Sequence, residues 1–171
     1  MSLNKKMTIK RIINIFLLLN DGPNKGKIAM RAMPYSPTRC ILQPFATDRV
    51  RGEENEKNYQ AVDRILKEKL GYDPGPRRSN RFKLSSRQKK FCKIECEEIR
   101  TYYYIGTILQ EEIEMIRPKR EFVFISSRSA WGLKTTEEFA EKDEGGMVTY
   151  PNHKTALIYL NQMKEILYFY R

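Results

Sequence analysis

The stretch Glu54–Leu70, ENEKNYQAVDRILKEKL, carries the clearest structural pattern of the chain. Its apolar side chains recur three and four residues apart, which places them on one face of an α-helix. Charged and polar residues fill the opposite face, as expected where a helix packs on a core and meets water on its other side. The sequence therefore predicts a helix over 54–70 whose buried stripe is Tyr59, Val62, Ile65, Leu66 and Leu70.

Other segments of the chain also show helical spacing. Met7–Asn20 carries apolar residues at that spacing and is followed by Asp-Gly-Pro, so we predict a first helix there. We assign 85–99 to a helix as well. The segment 102–116 combines helical spacing with strand-forming residues, and it stays open between helix and strand. After Asn152, which is a good capping residue, we predict a last helix to about Tyr168.

Strand patterns are shorter and complete the fold prediction. Arg120–Ser126 contains a continuous apolar run, Met147–Tyr150 follows two glycines, and Lys27–Met33 alternates weakly. Together the patterns predict an α+β fold in which a small sheet packs with about four helices. A chain of 171 residues is long enough for one domain with its own core. We therefore predict a single domain over 1–171, with 72–84 as a basic loop or arm.

The charge of the chain is strongly uneven. The formal net charge is +11, yet the segment Pro74–Lys93 holds eight Lys and Arg residues without one Asp or Glu. Such a block is relieved of self-repulsion when its cations displace counterions from a phosphate backbone. The pattern predicts a non-catalytic nucleic-acid-binding protein that belongs to a ribonucleoprotein or another larger assembly. RNA is favoured over DNA, because exposed aromatic rings stack on unpaired bases.

The predicted contacts to the nucleic acid come mainly from this basic block. Its cations would meet phosphates, and the ring of Phe82 would stack on a base. A second, smaller group lies closer to the N-terminus. The predicted binding residues are Arg77, Arg78, Arg81, Phe82, Lys83, Arg87, Lys89 and Lys90, with Lys25, Lys27 and Arg31.

Two other functions remain open at the level of sequence. One is a metal-dependent nuclease in which Glu95 and Glu98 hold a divalent cation beside Lys93. The simpler interpretation of these glutamates is that they pair with neighbouring cations such as Lys89 and Arg100. The other function is that of an adaptor, in which the basic arm docks on an acidic protein.

The remaining chemistry-bearing residues predict neither a cofactor nor a metal site. The one histidine, His153, is interpreted as a helix-capping or surface residue. Three cysteines give no disulfide framework, and their spacing is not that of a zinc site. This cysteine usage favours a reducing intracellular compartment, and the cytoplasm is favoured over an organelle. The sequence holds no apolar run long enough to span a membrane.

Overall fold

The computed structural model describes residues 6–36, 39–70, 82–116, 122–137 and 146–169. Within these ranges the chain forms a nine-stranded mixed sheet with helices packed on both faces. The strands are β1 (Thr8–Leu19), β2 (Ile28–Ser36), β3 (Arg39–Gln43), β4 (Ala46–Arg49), β5 (Phe82–Cys92), β6 (Glu97–Ile108), β7 (Phe122–Ile125), β8 (Lys134–Thr135) and β9 (Gly146–Thr149). The helices are α1 (Asn58–Leu70), α2 (Gln110–Glu114) and α3 (Pro151–Phe169), with 3₁₀ turns at Gly52–Glu54 and Ser127–Gly132.

Strand β1 organises the sheet. It pairs in parallel with β6 over its whole length, from Thr8 opposite Glu97 to Leu19 opposite Ile108. On its other side β1 pairs antiparallel with β4 through Ile12–Ile15 and with β2 through Leu17 and Leu18. The main path through the sheet is β5-β6-β1-β2-β3-β9-β8, with β4 attached to β1 and β7 attached to β2. The short β4 therefore leads the chain from the middle of the sheet directly into α1.

The predicted helix over Met7–Asn20 is wrong, because this segment is β1. Its side chains alternate between two cores: Ile13, Ile15 and Leu17 pack on the α1 side, whereas Phe16 and Leu18 pack on the α3 side. A strand that is buried on both faces has a continuous apolar sequence without period-two alternation. Such a run also satisfies helical spacing, and this is why the pattern favoured the wrong element.

The predicted helix over 85–99 is also wrong. This segment belongs to an antiparallel hairpin of β5 and β6, in which Phe91 lies opposite Glu98 and the connection is a turn over 93–96. The open segment 102–116 divides into the end of β6 and the short helix α2. The predicted fold, a small sheet with about four helices, is therefore corrected to a large mixed sheet with three helices in the described ranges.

Several predicted elements are confirmed. Helix α1 buries Val62, Ile65 and Leu66 as predicted, whereas Tyr59 of the predicted stripe is exposed. The helix begins at Asn58, after a 3₁₀ turn at Gly52–Glu54. Strands β7 and β9 and helix α3 lie where the sequence placed them. None of the described helices is long and apolar enough to cross a bilayer.

Candidate functional site

A cleft of about 590 Å³ lies beside the 3₁₀ turn that precedes α1. Its walls come from the N-terminal half of β1, the end of β4, the turn itself and the first residue of β6. This volume lies within the range of pockets that bind small molecules. We call it the turn cleft, and it is lined by Ile9, Lys10, Arg11, Arg49, Val50, Gly52, Glu53 and Glu97. Three cationic and two acidic residues thus line one small space.

The turn that forms one wall is fixed by its own hydrogen bonds. The Asn55 amide donates to the Gly52 carbonyl at 3.0 Å, and Asn55 adopts a left-handed conformation with φ 57°. Asparagine tolerates this conformation better than most residues. The Arg51 amide donates to the Glu56 carboxylate at 3.0 Å. The backbone of the turn therefore has one defined shape at the cleft.

Arg11 reaches from β1 to the start of α1. Its Nη1 donates to Asn58 Oδ1 at 2.8 Å, and its Nη2 donates to the Glu56 carbonyl at 2.9 Å. A Cβ placed on Gly52 would lie 3.9 Å from Arg11 Nη2, so the guanidinium lies directly behind this glycine. These contacts hold a permanent positive charge in the wall of the turn cleft.

Arg64, on α1, neutralises the acidic residues behind the turn. Its guanidinium contacts Glu56 Oε2 at 2.8 Å, Asp48 Oδ2 at 3.1 Å and Glu68 Oε2 at 3.6 Å. The side chains of Arg64 and Glu56 are only 15% and 12% exposed. The hydrogen bond from Arg64 lowers the pKa of Glu56, and the hydrogen bond to Glu56 raises the pKa of Arg64. Glu56 is therefore committed to the fold.

The remaining charged groups of the turn cleft are more accessible. Arg49 Nη2 contacts Glu53 Oε1 at 2.9 Å, and these side chains are 60% and 55% exposed. Lys10 is exposed on β1, and Glu97 is half-buried at the start of β6. Unlike the groups around Arg64, these side chains can contact a ligand without dismantling the core.

The carboxylates of the turn cleft bear on whether a divalent cation fits. Within the ranges that the structure describes, no three His, Cys, Asp or Glu side chains form a group that could hold a metal ion. Mg²⁺ in phosphoryl-transfer sites is instead held by one or two carboxylates together with the phosphates of the substrate. Glu53 and Glu97 both line the cleft. They therefore fit a cation that arrives with phosphates, and not one caged by the protein alone.

The predicted nucleic-acid contacts mostly lie elsewhere. Arg77, Arg78 and Arg81, together with 72–81 of the predicted arm, fall outside the described residues. Phe82 lies in the hydrophobic core at 9% exposure, so its ring has no free face for a base. The cations that the structure does describe are exposed along the edge strand β5: Lys83, Arg87, Lys89 and Lys90.

The second predicted group is not part of the turn cleft either. Lys25 and Lys27 are exposed in the connection between β1 and β2, which follows the opposite end of β1 from the cleft. Lys27 Nζ contacts Asn24 Oδ1 at 3.5 Å. Arg31 lies on β2 and donates to Gln43 Oε1 at 3.1 Å. None of these three side chains lines the cleft.

The acidic residues of the nuclease alternative do not converge either. Glu98 is buried and contacts Arg100 Nε at 2.7 Å and Lys89 Nζ at 3.3 Å. Burial opposes its ionisation, but the hydrogen bonds from Arg100 and Lys89 lower its pKa overall. Glu95 lies exposed in the hairpin turn beside Lys93. The predicted pairing of Glu98 with Lys89 and Arg100 is confirmed, although the contact with Arg100 lies within β6 and the contact with Lys89 crosses to β5, instead of both lying along a helix.

His153 is buried, so its interpretation as a capping or surface residue is wrong. Its Nδ1 lies 2.7 Å from the Tyr103 hydroxyl, and the ring meets Tyr150 edge to face. Burial lowers the pKa of His153 to about 4 and raises the pKa of Tyr103. His153, as a neutral ring, therefore links the first turn of α3 to β6 through its contact with Tyr103.

Sequence reasoning missed every residue of the turn cleft. Lys10 and Arg11 were placed in a predicted helix, and Arg49 and Glu97 are far apart in the chain. One local signal was present: the charged, glycine-containing segment 51–57, where the clearest helical pattern of the chain begins. Its relation to β1 and β6 depends on the sheet pairing, which the sequence pattern did not reveal.

Comparison with known proteins identifies the fold. No protein-family model and no curated protein matches the sequence. Solved structures match with TM-scores of 0.55 each: the E. coli ORF135 protein, 14% identical over 92% of both chains, and the MutT protein of Methanosarcina mazei Go1, 14% identical over 94% of this chain and 97% of that one. A MutT/nudix family protein of Enterococcus faecalis is 11% identical over 96% of this chain and 66% of its own, with the same TM-score.

These likenesses correct the functional prediction. The prediction of a non-catalytic nucleic-acid-binding protein within a ribonucleoprotein is wrong, because the solved structures that share this fold are MutT and nudix proteins. The predictions of RNA as the partner and of an RNA-binding protein are wrong for the same reason. At these identities the comparison establishes the architecture: this chain has the fold of MutT and nudix proteins.

Proposed function

We propose that this chain hydrolyses a phosphoanhydride bond in a nucleotide or a similar phosphorylated small molecule, with the turn cleft as the active site. The observation that carries the proposal is the meeting of three cations and two carboxylates in that one cleft. The likeness to MutT and nudix structures supports nucleotides as the first substrate class to test.

Phosphate recognition follows from the cations. A guanidinium presents paired donors that match phosphate oxygens, and Arg11 already has its orientation fixed by Asn58 and the Glu56 carbonyl. A donor held in place loses little entropy when a ligand binds. Arg49 and Lys10 add two further charges at the same cleft.

Hydrolysis breaks one P–O bond of the anhydride and forms another from water, which yields two phosphate products and releases a proton. A divalent cation, when bound with the phosphates, would neutralise their charge and orient the attacking water. Glu53 and Glu97 are the residues that would hold it, from the turn and from β6. The network of Arg64 keeps the turn, and with it Glu53, at the cleft wall.

Phosphate release from a panel of nucleoside diphosphates and triphosphates tests this proposal. We expect turnover that needs Mg²⁺ or Mn²⁺ and that falls at least about tenfold in Glu97→Gln. Glu95→Gln is the matched control, because it makes the same chemical change nearby, in the exposed hairpin turn away from the cleft. Its turnover should equal that of the wild type.

Two outcomes would contradict the proposal. One is the absence of hydrolysis for every nucleotide with either cation. The other is an equal loss in the Glu95 and Glu97 variants, which would place the chemistry outside the turn cleft.

The compartment and the domain organisation stay proposals. No disulfide joins Cys40, Cys92 and Cys96 to one another, which supports a reducing intracellular compartment. We likewise propose a single domain over 1–171, with a basic arm after α1.

A further inference from the structure

The exposed ion pair of Arg49 and Glu53 lies where the proposed ligand would bind. Both side chains line the turn cleft, and Arg49 Nη2 lies 2.9 Å from Glu53 Oε1. The pair therefore joins one of the three cations proposed to bind phosphate to one of the two carboxylates proposed to hold the accompanying cation. While the pair is formed, Arg49 Nη2 and Glu53 Oε1 are each occupied by the other, and the charge of each side chain is partly neutralised.

This pair is weak enough to be exchanged. Both side chains are more than half exposed, and pairs of this kind contribute little net free energy. A phosphate carries more charge than a carboxylate and bonds a guanidinium through two oxygens. The ligand should therefore displace Glu53 from Arg49.

The backbone around Glu53 stays in place during this exchange. Hydrogen bonds close the 3₁₀ turn, from the Glu54 amide to the Arg51 carbonyl and from the Asn55 amide to the Gly52 carbonyl, each at 3.0 Å. Behind it, Arg64 holds Glu56 and so fixes the exit of the turn. The exchange therefore requires the Glu53 side chain to move and leaves the backbone of the turn unchanged.

We infer that Glu53 is an exchangeable stand-in for phosphate: ligand binding releases it from Arg49, and the freed carboxylate then contacts the cation that accompanies the phosphates. Glu53 thus couples phosphate binding to cation binding. This inference rests on the proposed function, because it assigns a phosphate ligand to the same cleft.

Calorimetric titration with inorganic pyrophosphate and with adenosine diphosphate, each with and without Mg²⁺, tests the inference. Without Mg²⁺, Glu53→Gln should bind about threefold more tightly than the wild type, because Arg49 no longer has a competing carboxylate. With Mg²⁺, the same variant should lose most of the gain in affinity that the wild type shows. Glu54→Gln is the matched control, since Glu54 belongs to the same exposed turn but does not line the cleft.

The possible failures are distinguishable. If the wild type binds both probes but Glu53→Gln and Glu54→Gln behave alike with and without Mg²⁺, the exchange is overturned and the cleft keeps its proposed function. If neither the wild type nor any variant binds either probe, the proposed function fails, and the exchange fails with it. A tighter Glu53→Gln that also keeps the full effect of Mg²⁺ would overturn the contact with the cation.

Discussion

Two arginines on either side of the 3₁₀ turn show how burial divides structural from functional charge. Arg64 is 15% exposed and contacts three carboxylates, whereas Arg49 is 60% exposed and contacts one. Both arginines form a 2.8–2.9 Å contact with a glutamate of the same short connection. Distance alone therefore does not separate them.

The surroundings of each pair explain the difference. Arg64 lies on α1 and Glu56 in the connection that precedes it, and Arg64 also donates to the Arg49 carbonyl at 2.9 Å. Removing one partner of a buried pair leaves the other charge uncompensated, so such pairs resist exchange. Water screens the pair of Arg49 and Glu53, and losing it costs little. The buried pair builds the turn, and the exposed pair is available to a ligand.

The substitution Arg64→Ala tests this comparison through the largest expected loss of stability. It leaves Glu56 without its principal partner at 12% exposure, and we expect the free energy of unfolding to fall by about 3 kcal/mol. Arg49→Ala should lower it by less than about 1 kcal/mol. Urea denaturation of both variants measures the contrast. Equal losses would show that burial does not distinguish the two arginines.

His153 extends the comparison to a buried group outside the cleft. Burial lowers its pKa from the ordinary value of 6.5 to about 4, so the folded protein favours the neutral ring. The stability this provides is fully present above pH 6.5 and is lost as the pH falls toward 4. At pH 5 the wild type should have lost about 2 kcal/mol more than His153→Gln, relative to pH 7. Denaturation curves at these two pH values measure the difference, and parallel losses would contradict the assigned burial effect.

The sequence predicted α1 correctly because one side of this helix faces water. Val62, Ile65 and Leu66 are buried while Lys67 and Glu68 are exposed, and the contrast leaves a readable period. Strand β1 has no such contrast from Ile13 to Leu19, since both of its faces are covered by core residues there. Burial on two sides removes polar residues and, with them, the signal that separates strand from helix.

The residues of the turn cleft could not be predicted from the sequence for a related reason. Arg11, Arg49 and Glu97 meet only because β1 pairs with β4 on one side and with β6 on the other. No local pattern specifies that pairing. The basic block was predicted as the binding site because its charged residues are contiguous in the sequence. Residues that are contiguous in the sequence do not necessarily line the same cleft.

Glu56 offers a pH test of the buried pair. The hydrogen bond from Arg64 lowers its pKa below 4.5, so Glu56 stabilises the fold above the unfolded value and loses this contribution as the pH falls through the folded value. At pH 7, Glu56→Gln should lower the free energy of unfolding by about 1.5 kcal/mol. The gap to the wild type should narrow below pH 4.5. Denaturation between pH 3 and 7 checks it, with Glu54→Gln as an exposed control that should stay within about 0.5 kcal/mol of the wild type. A gap of constant size would contradict the ion pair.

The smallest expected effect gives the sharpest form of the comparison. A double-mutant cycle of Arg49→Ala and Glu53→Gln should yield a coupling free energy of about 0.5 kcal/mol, which disappears in 1 M salt because the exposed charges are screened. The corresponding cycle of Arg64→Ala and Glu56→Gln should yield a larger coupling that persists in salt, because water reaches that pair poorly. A coupling of the exposed pair that resisted salt would mean that Glu53 is as firmly committed as Glu56, and a phosphate could then not displace it.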